Sequence, residues 1–366
     1  MAAGIGIGRF IYTPILPPMI EALGLSKSSA GLIASANFLG YLCGALIAAA
    51  ARLPGSRRVW LLASLVASAV TTGAMGLTDS IPAFIGLRFG GGVASALVLI
   101  LASARVLEQL AETGRGRLSS MHFAGVGVGI AVSAAAVAVM QAAGLDWPSL
   151  WLAGGALSLG AAAVVAVLLP DRVGAPPPAA QRDFASGPNI ALRRLTAAYG
   201  LFGFGYVITA TFIVAIVRAT PSIRPLEPAI WIVVGLSAAP SVMLWSALAR
   251  RTGIPLAFGL ACLTQAIGVI TSVLLPNTIG ILLAAALLGG TFMGQTALGV
   301  MRGRELAFGD PRRAIALLTG AFGVGQIIGP IFAGAVFDRY GSFTLPSCAA
   351  AVGLVVAAVL ANIRTR

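Results

Sequence analysis

PDRVGAPPPAAQRDFASGPNIALRR, residues 170–194, is the one long polar stretch in a chain of 366 residues. Its prolines and charges forbid a membrane-spanning helix and suit a flexible linker. On either side the chain is a series of apolar runs of about 20 residues, the length that crosses a hydrocarbon core roughly 30 Å thick. Before the linker the runs fall at about 1–23, 29–51, 58–78, 81–104, 118–142 and 149–169. After it they fall at about 195–217, 228–249, 254–275, 279–301, 314–337 and 342–363. The expected architecture is an all-α membrane protein of twelve spans, with six in residues 1–169 and six in residues 195–366.

The charges say which way such a chain lies. Of 24 basic residues, eighteen lie on alternate gaps between runs, four on the other gaps, and two, Arg9 and Arg88, within runs. Lys/Arg bias on short loops marks the cytoplasmic side, so both termini and the linker are expected there. Composition agrees: 58% hydrophobic and 10% charged residues with a mean hydropathy of +0.97 lie far from the roughly 25% charge of a soluble domain. The net charge of +13 is spread over loops instead of forming a basic stripe with interleaved aromatics, so no nucleic-acid partner is expected. Cys43, Cys262 and Cys348 are scattered within apolar runs and supply neither a disulfide framework nor a metal cluster. The N-terminal run has no basic region before it and no small-residue cleavage site, so it reads as a first span and not a removable signal. It is short, however, which points to a start upstream or to an unusually thin region.

Internal similarity comes next, because transporters are commonly built from repeated helix sets. Gly6-Ile7-Gly8-Arg9 in span 1 aligns with Gly203-Phe204-Gly205-Tyr206 in span 7. Arg52-Leu53-Pro54-Gly55 after span 2 aligns with Arg250-Arg251-Thr252-Gly253 after span 8, and Arg88-Phe89-Gly90-Gly91 in span 4 with Leu287-Leu288-Gly289-Gly290 in span 10. Each match is weak in so glycine-rich a chain. Their equal helix rank favours duplication.

Six segments then carry a resemblance: GIGRFIYTPILPPM (6–19), SANFLGYLCGAL (35–46), HFAGVGVGI (122–130), WPSLW (147–151), YGLFGFGYVITATF (199–212) and GQIIGPIFAG (325–334). Through them the chain resembles the major facilitator superfamily, and its first 45 residues the bacterial YbfB/YjiJ-type branch. The resemblance implies two six-helix bundles related by pseudo-twofold symmetry, a central cavity lined mainly by helices 1, 4, 7 and 10, and alternating access by rocking. The family's span 4 pattern, Arg-x-x-x-Gly-x-Ala, is present as Arg88, Gly92 and Ala94. Its loop motif after span 2 is degraded: Gly55 and Arg57 fit, but Arg52 stands where the family has Asp, and Arg250 stands at the matching place after span 8. A cytoplasmic gate latched by that Asp is therefore in question. Arg52 and Arg250 suit helix C-termini instead, where the dipole favours a cation.

The glycine strings at 4–8 and 125–129 look faintly like nucleotide loops, but neither follows a strand, and close helix packing explains them better. Gly92, Arg52, Gly55, Arg250, Gly253 and Pro330 are candidate gating positions. Pro330 should bend span 11, and such bends serve either packing or gating.

Arg9 and Arg88 carry the functional argument. A charge within the bilayer is costly and normally faces a cavity or a partner. At 1.5 Å per residue, Arg9 lies about 18 Å and Arg88 about 10 Å from the outer ends of their spans. None of the eleven acids lies in the middle of a span. Two cations without an internal counter-ion imply a substrate that brings the negative charge, and guanidinium groups bind carboxylate bidentately. Structural pairing or snorkelling is the plainer reading of each. Tyr12, Thr13, Asn37, Tyr41, Tyr206, Thr209 and Gln295 offer a polar and aromatic lining at helical spacing, alongside Tyr199 and Thr291. A bond to a neighbouring helix serves each equally well. Trp231 and Trp245 read as lipid or interface anchors.

His122 is the only group that titrates near neutrality, yet it stands one turn into span 5 and reads chiefly as a polar helix-end residue. With no embedded carboxylate, proton coupling would fall to His122 or Glu21. The expected function is secondary transport of a small organic anion by a monomer in the bacterial cytoplasmic membrane, without cofactor or metal. The alternative is a proton-driven exporter of cationic or lipophilic compounds, which would want a membrane carboxylate. An intramembrane enzyme is disfavoured by one His, no His-Glu-x-x-His and no Gly-x-Ser-x-Gly.

Overall fold

The computed structural model describes residues 1–50, 55–169, 190–307 and 311–363. Regular structure among them is helical throughout. Twelve α-helices follow one another: α1 (Tyr12–Leu23), α2 (Lys27–Ala50), α3 (Arg57–Ala74), α4 (Ile81–Glu112), α5 (Ser119–Ala142), α6 (Trp147–Leu168), α7 (Ile190–Ala219), α8 (Glu227–Thr252), α9 (Ile254–Leu274), α10 (Thr278–Glu305), α11 (Pro311–Tyr340) and α12 (Thr344–Asn362). Among the described residues, eleven helical stretches are long and apolar enough to cross a membrane. The first span differs because it is interrupted. A π-helical segment, Ala2–Ile7, precedes α1, and the chain between them is turn. The continuous helix expected over 1–23 is thus two pieces, for a reason that lies in the site described below.

Other boundaries shift less. α7 begins at Ile190, so residues 190–194 of the polar stretch are helical; residues 170–189 lie outside the described residues, as does Arg52. α4 and α10 run past their expected ends to Glu112 and Glu305. The loops after α2 and α8 share one feature that the repeat predicts. Gly55 has φ +79° and Gly253 φ +87°, the left-handed region in which a Cβ is disfavoured. Arg250 is exposed in the last turn of α8, where the helix dipole favours it.

Lipid tails are as apolar as leucine, so helices associate here through close packing and interhelical hydrogen bonds. α2 lies along α4, and α3 along α6; α10 packs on α8 and α9, and α12 on α7 and α9. Gly92 of α4 abuts the Asn37 backbone of α2 with no room for a Cβ. Two long contacts join the N-terminal six helices to the C-terminal six, α5 on α8 and α2 on α11. Gly127 meets Gly235 backbone to backbone in the first, and Gly31 meets the Pro330 carbonyl in the second. Pro330 therefore stands at a crossing of the two sets. Ser35 Oγ adds a hydrogen bond to the Ile327 carbonyl at 2.7 Å.

At the end opposite the linker, the sets are also tied by charge. Asp338 of α11 accepts from the backbone N–H groups of Lys27 and Ser28 at 3.0 and 2.8 Å, capping the first turn of α2. Arg218 in the last turn of α7 donates to Glu21 of α1 and to Glu227 at the start of α8.

Candidate functional site

The break in the first span is where polar side chains from three helices converge. Pro14 has no N–H to give the Phe10 carbonyl, and the Thr13 N–H turns to Phe10 at 3.3 Å, so the Arg9 carbonyl loses its usual donor four residues on. Unsatisfied carbonyls in a membrane are costly, and interrupted helices persist only where neighbours re-satisfy them. Arg88 of α4 does so: Nη1 donates to the Gly8 carbonyl at 3.3 Å and Nη2 to the Arg9 carbonyl at 3.1 Å. Trp231 of α8 donates its indole N–H to the Phe10 carbonyl at 3.1 Å. Both expectations for these residues change. Trp231 is 1% exposed and is no lipid anchor; the Arg88 fork is directed at backbone and its Cζ lies 4.9 Å from the Tyr12 ring centroid. Trp245 likewise bonds a helix, donating to the Gly290 carbonyl at 2.7 Å.

Arg9 is different. It is 7% exposed, and its Cζ lies 4.7 Å from the Phe38 ring centroid, 4.5 Å from that of Tyr41 and 5.6 Å from that of Phe10. The aromatic faces offset part of the cost of burying its charge. Its Nε and Nη2 are buried without a hydrogen-bond partner. Those two nitrogens form one edge of the guanidinium, the edge that meets the two oxygens of a carboxylate side-on. The protein uses that same edge elsewhere: Arg218 donates from Nε to Glu21 Oε1 at 2.7 Å and from Nη2 to Oε2 at 2.6 Å. Among the described residues, no carboxylate pairs with Arg9 or Arg88.

Beside Arg9 stands a stack of rings. Tyr206 of α7 lies parallel to Phe292 of α10 and Phe322 of α11, at centroid distances of 5.7 and 5.8 Å and interplanar angles of 4°. Phe10 reaches Phe292 at 5.8 Å, edge to face, which joins the stack to the first span. The Tyr206 hydroxyl accepts a short hydrogen bond from the Gln326 side-chain amide, while Gln326 Oε1 is buried without a partner. Thr209, one turn from Tyr206, is 1% exposed with an unpartnered hydroxyl.

Most of the other expected site residues are bound to neighbouring helices. The Tyr12 hydroxyl donates to the Ala30 carbonyl at 2.7 Å, Thr13 Oγ1 to that of Ala210 at 2.9 Å and Asn37 Nδ2 to that of Arg88 at 2.9 Å. Thr291 Oγ1 bonds back to Leu287, and the Tyr199 hydroxyl to Thr296. Gln295 is fully buried with both amide atoms unpartnered. It stands one turn beyond Phe292 of the ring stack on α10. The structure thus brings together Arg9, Tyr41 and Tyr206 from the expected set, with Thr209 one turn from Tyr206, and adds Phe10, Phe38, Phe292, Phe322 and Gln326. Ring residues of this kind give no sequence signal, since apolar aromatics are common throughout such spans.

The candidates for proton coupling lie apart from this centre. His122 Nε2 is 3.2 Å from Ser103 Oγ of α4, one turn into α5. Glu21 is exposed and paired to Arg218.

Comparisons with known proteins agree with this architecture. Crystal structures of the nucleoside transporter NupG and of a point mutant of it superpose on the chain with a TM-score of 0.73 each, at 17% and 14% identity. They cover 98% of this chain and 96% and 97% of theirs; at such identity the likeness is one of fold. No curated protein matches the sequence. The model of the family described as "Uncharacterised MFS-type transporter YbfB" matches residues 1–362, so the chain belongs to this family of major facilitator superfamily transporters, with the superfamily's two six-helix bundles.

Proposed function

We propose that the protein is a secondary transporter of a small organic anion, with Arg9 as the group that receives the substrate's carboxylate. One observation carries the reading: the Nε and Nη2 edge of a buried guanidinium is left without a partner, in a protein whose Arg218 uses the same edge to hold a carboxylate. A bidentate, charge-assisted pair in so dry a setting is strong and directional. The Tyr41 ring lies against the same guanidinium, and Arg88 serves it by holding the backbone on which Arg9 stands. Movement would follow from the two bundles rocking about this centre. The split at the linker, a monomeric state and cytoplasmic termini in a bacterial inner membrane belong to the same proposal, the last resting on the loop arginines.

A second reading is a neutral polar solute such as a nucleoside. The unpartnered Gln326 Oε1 beside the Tyr206 ring stack favours it, and the two structural neighbours are nucleoside transporters. Export of lipophilic cations fits least, because the cation already in the centre would repel them.

Thermal stability of the purified protein against pyruvate, benzoate, uridine and ethidium separates these, since a ligand of the folded state raises its apparent stability. The anion reading expects pyruvate or benzoate to stabilise wild type and not Arg9→Gln. Stabilisation by uridine alone would replace it with the nucleoside reading, and by ethidium alone with the exporter.

A further inference from the structure

We infer that Arg218 is a second carboxylate site, at the end of the bundle opposite the linker, which Glu21 occupies while that end is closed and which a substrate anion takes when it opens. This rests on the anion reading above. Arg218 lies in the last turn of α7 and holds two carboxylates from different parts of the chain. Its Nε and Nη2 engage both oxygens of Glu21, at 2.7 and 2.6 Å, across the boundary between the two bundles. Its Nη1 engages Glu227 Oε1 at 3.1 Å within its own bundle.

The two partners are unequal in a way that decides which one leaves. Glu227 belongs to α8, which follows α7 through a short turn, and its side chain is 12% exposed. Glu21 belongs to α1 of the other bundle, and its side chain is 54% exposed. When the bundles part at this end, α1 carries Glu21 away and water replaces its contact at small cost. Arg218 keeps Glu227, which continues to hold Nη1. What remains is a half-buried guanidinium, oriented by one carboxylate, with its Nε and Nη2 edge free. That free edge is the same one that Arg9 leaves unpartnered, here near the surface and beside a carboxylate. Glu21 is then a built-in stand-in for the substrate, because its carboxylate has the charge and geometry of the ligand that Arg9 lacks. An incoming anion that occupies Arg218 also keeps Glu21 from returning, so binding holds this end open until the anion moves inward.

The contact is also placed to act as a gate. The same end is closed by Asp338 on the first N–H groups of α2, so displacing Glu21 removes one of the ties between the bundles there.

Acetate is the probe, compared with chloride at equal ionic strength, and all variants carry Arg9→Gln so that the central site does not respond. With Glu21 intact, acetate should give little or no rise in Tm over chloride, because the edge is occupied. Adding Glu21→Ala, or Glu21→Gln to keep the side chain's length, should produce a rise of several degrees. Adding Arg218→Lys as well keeps a cation but removes the planar edge, and the rise should be lost. No acetate response in either Glu21 variant, or the same response with Lys at 218, would overturn the inference. The central reading is judged separately, by wild type against Arg9→Gln with Glu21 in place, so either can fail alone.

Discussion

Arg88 holds the backbone of Arg9: its Nη2 donates to the Arg9 carbonyl at 3.1 Å while its Nη1 holds the carbonyl of Gly8. The two intramembrane arginines therefore have different duties. One satisfies the carbonyls of an interrupted helix, and the other, standing on that helix, is left with a free edge.

Arg9→Gln should abolish stabilisation by carboxylates while leaving insertion and fold intact, because removing a buried charge relieves a desolvation cost. Arg9→Lys keeps the charge without the fork. Loss of one charge-assisted hydrogen bond, worth about 1.5–3 kcal/mol, should weaken binding by roughly ten- to a hundredfold, read from the ligand concentration at half-maximal thermal shift.

Arg88→Met should destabilise the first span directly. Two buried carbonyls lose their donors, at about 1–3 kcal/mol for an unsatisfied group, and amide exchange over residues 8–13 should accelerate. Arg88→Lys supplies one donor and should fall between. Equal exchange in wild type and Arg88→Met would show that α4 does not hold the break.

Asp146 gives a pH-dependent contribution. It caps α6, accepting from the Ser149 N–H at 3.2 Å, and its hydrogen bonds to Ser149 hold its carboxyl below the usual carboxylate range. The folded value is the depressed one, so the stabilisation is complete above the unfolded pKa and is lost as pH falls through the folded one. Asp146→Ala should lower Tm at pH 7, and the gap from wild type should shrink as the pH is taken below about 4.

Orientation is tested by thiol labelling. In a background with Cys43, Cys262 and Cys348 replaced, a Cys introduced at Asp146 should react with an impermeant reagent in intact cells, and one at Ala179 should not. The reverse pattern would invert the topology.

The linker should be dispensable for assembly. Halves separated near Pro177 and expressed together should co-purify, since α5 meets α8 and α2 meets α11 along long apolar contacts. Well-expressed, inserted halves that stay apart would argue against two self-contained bundles.

What the sequence by itself determined is whatever is local along the chain. Hydropathy set the spans, the polar stretch at 170–189 separated the two sets of six, and Gly55 and Gly253 marked equivalent turns, because each depends on residues within a few positions of one another. The absence of an intramembrane carboxylate was equally plain. Only the tertiary structure decided who meets whom. Periodicity placed Tyr12, Thr13 and Asn37 on helical faces but not against a particular neighbour, and each turned out to bond a neighbouring helix. Trp231 looked like a lipid anchor until α8 was set beside the first span, where its indole meets a carbonyl 221 positions away. The break between Ala2–Ile7 and α1 is the sharpest case. Pro14 weakens that helix locally, but an interrupted backbone survives in lipid only if donors arrive from elsewhere, and those donors, Arg88 and Trp231, come from α4 and α8. Which arginine keeps a free edge is thus a property of three helices packed together, and no single stretch of sequence contains it.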